Sequence, residues 1–200
     1  MSVFFHGSFG LNRSHMSAVL RACITMPDKS DMEIAQPFGY KAPFTKKYKT
    51  WLIKTGIVNS GKGFRLTEPG RVIFDNDPTF QSTAAKWFLH HNLVSDAAVA
   101  ETWYFFIYEF LPSQKSFVRA DLQEGLAMKL MPHSAKHFAS GSPMNKTISK
   151  KLLECYSGSE ALGDLGLISV EGKDLYKVQK PKVIGPWASI RELEEAIKAT

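Results

Sequence analysis

Between residues 44 and 55 the apolar and cationic positions follow a helical period. At about 100° per residue, Phe44, Tyr48, Trp51, Leu52 and Thr55 fall on one arc, while Lys46, Lys47, Lys49, Thr50 and Lys54 take the remaining surface. The pattern predicts a helix with a ring-rich back and a cationic front, stopped by Gly56. Next come Ile57-Val58, the polar turn Asn59-Ser60-Gly61-Lys62-Gly63 and Phe64-Arg65-Leu66-Thr67, which predict a β-hairpin with a basic tip. Upstream, Asp31 to Gln36 predicts a short helix broken at Pro37-Phe38-Gly39. Earlier still, Asn12 or Ser14 caps a helix to about Cys23 with Met16, Val19, Leu20 and Cys23 as its apolar stripe. Helix, short helix, basic helix and hairpin is the order of a winged helix-turn-helix.

Further along, Asp77-Pro78 predicts the N-cap and first position of another helix, with Phe80, Ala84, Trp87 and Phe88 as its apolar face. The run AAVAETWYFFIYEFLP from about residue 97 is apolar nearly all round and predicts a buried central helix. Glu109 inside that run needs a partner, and His90, His91 and Arg119 are the expected ones. VRADLQEGLAMKL reads as a helix, MPHSAKHFASG as a loop or frayed helix, and Ser142-Pro143 opens a third with Met144, Ile148, Leu152 and Cys155 on one side. Gly158 ends it, and LISV, a Glu171-Gly172-Lys173-Asp174 turn and LYKV form a second hairpin. A capping box, Ser189 to Glu192, starts a last helix that either packs back on the body or mediates self-association as a homodimer.

The expected fold is therefore mostly α with small β-hairpins (α+β). Two winged-helix-like lobes, residues 1–76 and 115–185, flank a central helical pair at 77–114, with a C-terminal helix at 186–200.

Charge sharpens this picture. The net charge is +6, and residues 41–75, with 8 basic and 2 acidic side chains, carry an excess of that same size. Residues 76–114 carry 1 basic and 4 acidic side chains. A localised positive field is the footprint of a polyanion partner, although a solvated lysine face gives the same count. On the basic helix the lysines suit phosphate better than bases, because an ammonium lacks the guanidinium fork. Thr50 is the candidate for a base-edge contact, and Lys62 and Arg65 extend the cationic surface onto the wing. A winged helix used only for protein contact is the competing reading.

No apolar run approaches the roughly 20 residues of a membrane span, and the N-terminus lacks the pattern of a signal peptide. The two cysteines, Cys23 and Cys155, form no CxxC pair, which fits a reducing cytoplasm. There is no Walker loop, HExxH or Gly-x-Ser-x-Gly. His133 and His137, four apart, could share a helix face, but no third metal ligand is evident nearby. Glu171-Gly-Lys173 matches the end of a nuclease-type pattern, yet it falls in a turn.

Six stretches taken in order carry a family resemblance: FHGSFGLNR at 5–13, PFGYKAPFTKKYKTWLIKTG at 37–56, WFLHHNL at 87–93, FFIYEFLP at 105–112, HSAKHFASGSPMNK at 133–146 and LLECYSGSEALGDLGL at 152–167. The chain resembles SspB-type proteins, members of a domain-of-unknown-function family encoded beside bacterial DNA phosphorothioation genes. The resemblance implies a DNA-nicking component of an antiphage system that replaces a phosphate oxygen of DNA with sulfur. It implies as partners DNA, an SspA-like cysteine desulfurase, an SspC-like ATPase and an SspD-like sulfur-transfer protein. No cofactor is evident; cleavage would call for Mg²⁺ or Mn²⁺. Asn12, Arg13, His91, Glu109, His133 and His137 are the polar residues of the matching stretches and the candidates for chemistry. A non-catalytic DNA-binding adaptor and a winged-helix transcriptional regulator are the alternatives.

Overall fold

A computed structural model of the chain describes residues 3–61 and 63–199. The chain divides into two compact units: a first unit of Phe5–Leu93 with the chain from Val183 onward, and a second of Val94–Lys182 with the chain up to Phe4. These boundaries differ from those expected. The division falls at Leu93, inside the expected central pair, and the C-terminal segment returns to the first unit.

In the first unit, Asn12 caps α1 (Arg13–Thr25) by accepting the His15 N–H at 2.8 Å. Ser30 and Glu33 form a reciprocal capping box that starts α2 (Asp31–Ala35). The basic helix α3 (Ala42–Lys54) buries Phe44, Tyr48, Trp51 and Leu52, the arc expected from the wheel. It packs on both α1 and α2.

Among the described residues the expected first hairpin shrinks to one antiparallel bridge, Val58 to Leu66. Its arms cannot lengthen, because Thr67 is already the N-cap of another helix, α4 (Glu68–Asn76). The Thr67 hydroxyl accepts the Gly70 N–H at 2.9 Å and donates to the Gly56 carbonyl at 2.7 Å. A Cβ at Gly70 would lie 2.1 Å from the Ile57 carbonyl oxygen, so the wing and α4 meet at a distance only glycine permits. Glu-Pro-Gly resembles a turn, and this helix was not read from the sequence.

Asp77-Pro78 does not open the next helix; α5 spans Thr83–Leu93. The Asp77 carboxylate instead accepts the Gln81 and Ser82 N–H groups at 2.9 and 2.8 Å. This loop holds Phe80 at φ 56° with its ring fully buried, and the Phe80 carbonyl takes a 2.8 Å bond from Arg13. Burying the ring and satisfying the guanidinium outweigh the local preference for an earlier helix start. The last helix, α10 (Ile190–Lys198), packs on α4 and α5. Ser189 accepts the Glu192 N–H at 3.2 Å, but Glu192 reaches the Ala188 N–H at 3.0 Å, one residue short of a reciprocal box.

In the second unit, Asp96 caps α6 (Ala97–Tyr104). The expected uniform helix to Pro112 changes pitch. A π-helical turn, Phe105–Phe110, follows α6 and gives way to a 3₁₀ turn, Leu111–Ser113. The wider turn alters the spacing of side chains. Phe105, Phe106 and Phe110 stay inside, while Tyr108 and Glu109 face out. Glu109 is therefore not a buried charge, and its partner is none of those expected: Lys129 bonds it at 2.7 Å.

Strand β1 (Ser116–Val118), also unread in the sequence, leads into α7 (Arg119–Leu130), then short α8 (Ala135–Phe138) and α9 (Pro143–Ser157). The hairpin of β2 (Ile168–Gly172) and β3 (Leu175–Val178) completes an antiparallel sheet of order β1-β3-β2. Helix, strand, helices and hairpin with the early strand pairing the last is the connectivity of a winged helix. Phe106, Phe110, Phe117 and Tyr156 pack ring to ring at its centre. Among the described residues, no helix is long and apolar enough to cross a membrane.

Gly70→Ala should destabilise the protein by about 2–3 kcal/mol in urea unfolding, the cost of overpacking against backbone that cannot yield. A second expectation concerns His90, buried on α5 beside Trp87 and His91. Burial, helped by His91, pushes its imidazole down to about 3. The folded value lies below the free value, so between about pH 6.5 and 3 the unfolded chain takes a proton the folded one refuses. Stability should be full above that window and fall as pH drops through it, by at most about 1.4 kcal/mol per unit from this group. His90→Gln should flatten the slope of the urea midpoint between pH 7 and 4.5.

Candidate nucleic-acid interface

Burying its rings turns the lysine arc of α3 outward, but its neighbours treat each lysine differently. Lys46 is exposed at the middle of the arc, one turn before the half-buried Thr50. On one flank Lys47 donates to the Phe5 carbonyl at 2.7 Å and Lys54 stands 5.8 Å from the centre of the Phe5 ring. A backbone carbonyl leaves the Lys47 charge uncancelled. Partial burial lowers the Lys54 pKa below the usual lysine value. On the other flank Lys49 pairs with Asp31 at 2.7 Å and lies 5.8 Å from the Phe64 ring centre. Its charge is already matched.

The Thr50 hydroxyl donates to the Lys46 carbonyl at 2.9 Å. In this rotamer it offers an incoming group only lone pairs, suited to the amino group of adenine or cytosine. Arg65 is exposed on the wing. Lys62, expected at the wing tip, lies outside the described residues. Sequence reading missed three features of this face. Ile53, half-buried, falls within the lysine arc, Lys41 is exposed at the start of α3, and Asp31 neutralises Lys49. Ile53 could have been placed on the same helical wheel and Lys41 in the basic window; only the pairing with Asp31 has no sequence signal.

The six candidates for chemistry do not converge. Asn12 caps α1. Arg13 is buried, bonding Phe80 and Gln81 at 2.8 and 2.9 Å. His91 bonds the Ile184 carbonyl at 2.8 Å through Nε2. Glu109 pairs with Lys129. His133 sits in the turn before α8 and His137 within α8, so the expected shared helix face does not form. His133 Nε2 instead lies 2.9 Å from Glu101 Oε1, whose side chain is mostly covered. The carboxylate orients that ring, which is about half exposed. Among the described residues, no three His, Cys, Asp or Glu side chains come close enough together to hold a metal ion.

In the second unit, α9 presents Lys146, Lys150 and Lys151, but the last two pair with Glu154 at 3.7 and 2.7 Å. That face is more nearly neutral than α3.

Two solved structures resemble this fold. One is a magnesium ion-bound SspB crystal structure, with a TM-score of 0.62 and 15% identity over 92% of this chain and 62% of that one. The other is an SspB crystal structure, with a TM-score of 0.61 and 16% identity over the same shares. At such identity the likeness is one of fold, and the chain spans 62% of the length of these SspB chains. No curated protein matches the sequence. The model of a family described as a protein of unknown function, DUF4007, matches residues 46–184, from Lys46 in the middle of α3 to the segment before α10. With more than half of its length so matched, the chain belongs to the DUF4007 family.

Proposed function

We propose that the first unit docks on duplex DNA through α3 and the wing, as part of a DNA phosphorothioation machinery, and that the protein nicks DNA. The observation that carries the docking is the outward arc of α3. Lys46 is unobstructed, Lys47 and Lys54 stand beside it, and Arg65 follows on the wing. A helix of this diameter fits a major groove, and ammonium groups at its flanks reach phosphates. The fold shared with SspB structures and the DUF4007 match support the system assignment. In such a machinery the protein would work with the desulfurase, ATPase and sulfur-transfer proteins.

For nicking, the pair Glu101–His133 is the best supported chemistry. A neutral imidazole held through Nε2–H by a carboxylate can take a proton from water at Nδ1 as water attacks phosphorus, while the bond from phosphorus to one sugar oxygen breaks and solvent protonates the departing oxygen. One relative is magnesium-bound. The described residues of this chain do not assemble a metal cluster, so the reading gives its side chains no metal-holding role. A non-catalytic adaptor is favoured by a different observation: Asn12, Arg13, His91 and Glu109 are all engaged in structural bonds.

Three outcomes test these readings. Lys46→Ala and Arg65→Ala should weaken binding to all duplex sequences alike and lower the salt slope by about one each. Lys49→Ala should leave that slope unchanged and Asp31→Asn should tighten binding; equal effects at Lys46 and Lys49 would refute the docking face. In a supercoiled-plasmid assay with Mg²⁺ or Mn²⁺, the protein should yield open circles, and His133→Ala should slow them by about 10²-fold or more. Intact binding without open circles would establish the adaptor.

A further inference from the structure

A cleft of about 360 Å³ opens in the first unit where the start of α4, the end of α5 and the segment entering α10 meet. Phe88, His91, Asn92, Pro69, Pro186 and Trp187 supply most of its wall. Trp187 stands across from His91 at 6.4 Å and 73°, and His91 stacks on Trp87 at 5.4 Å and 27°. Three rings, Phe88, His91 and Trp187, thus face the cleft among prolines and aliphatic side chains.

The cleft also has a defined polar group. The Ile184 carbonyl 2.8 Å from His91 Nε2 can only accept, so Nε2 carries the hydrogen. In the neutral ring Nδ1 is then an acceptor, and nothing among the described residues donates to it. An occupant bearing an N–H meets an acceptor whose tautomer is already set.

The position of the cleft narrows the choice of occupant. Asn92 packs against Gly56, the residue that ends the basic helix: a Cβ there would come within 2.5 Å of Asn92 Oδ1. Pro69 lies two residues after Thr67, the residue that closes the wing and caps α4. The cleft thus lies at the foot of the cationic helix and wing. Its volume is at the small end for ligand sites, enough for one flat ring system but not for a run of nucleotides.

We propose that this cleft receives a single unstacked nucleobase of the nucleic acid held by α3 and the wing, its face against Trp187 and one of its N–H groups donating to His91 Nδ1. The proposal rests on the nucleic-acid reading of the first unit. Every nucleobase presents both a π face and an N–H, so the site takes a base without demanding a sequence.

The test uses 2-aminopurine, whose fluorescence falls on stacking, both as the free deoxyriboside and as one position of a short single-stranded oligonucleotide. With the full chain, both probes should be quenched saturably. Trp187→Leu and His91→Phe should each weaken the quenching by about 5- to 100-fold, the range of ring–base stacking, and thermal unfolding should show that each variant is folded. An oligonucleotide that binds by anisotropy without quenching overturns the proposal, as does quenching that survives both substitutions. The free deoxyriboside carries no phosphate and decides the cleft independently of α3. Quenched nucleoside with no binding of a labelled duplex by anisotropy keeps the base site and sinks the docking reading; unquenched nucleoside sinks the base site whatever the lysine variants do.

Discussion

The burial of one side of α3 orients everything else in the first unit. Phe44 is enclosed by rings, with Tyr40 stacked at 4.8 Å, Phe38 at 5.1 Å and His15 at 5.2 Å. Trp51 meets Phe5 at 4.8 Å and donates its indole N–H to the Phe9 carbonyl at 3.0 Å. Each such ring pair contributes about 0.5–1.5 kcal/mol beyond its buried area. Together they forbid rotation of the helix about its axis. The direction of the lysines follows from where the rings go.

That constraint passes along the chain. The end of α3 sets Gly56, Thr67 bonds the Gly56 carbonyl, and the same hydroxyl caps α4. α4 and α5 then give α10 its surface. The basic helix, the wing, the base-sized cleft and the C-terminal helix are thus parts of one packed arrangement. A change at Gly56 or Gly70 would be felt at all four.

Surface charge and usable charge differ on this helix. The wheel counts Lys46, Lys47, Lys49 and Lys54 as equivalent. The folded chain separates them into an exposed cation, two flank cations beside the N-terminal segment, and one matched by Asp31. In the second unit the same discount applies to Lys150 and Lys151 beside Glu154.

By itself the sequence determined the elements whose signals are local: the ring arc of α3, the Ser142 cap, Gly158 as a terminator and the β2–β3 hairpin. These depend on side chains a few residues apart, so spacing reveals them. Residues distant in sequence decided the rest. Asp77 became a loop clasp because Phe80 had to be buried where Arg13 could reach its carbonyl. Glu109 turned out to Lys129 because a π turn changed the spacing, and three-residue β1 exists because β3 offers it an edge. The pairings of Lys49 with Asp31 and of His133 with Glu101, and the cleft between α4, α5 and α10, have no linear signature. They join groups that only tertiary packing brings within bonding distance.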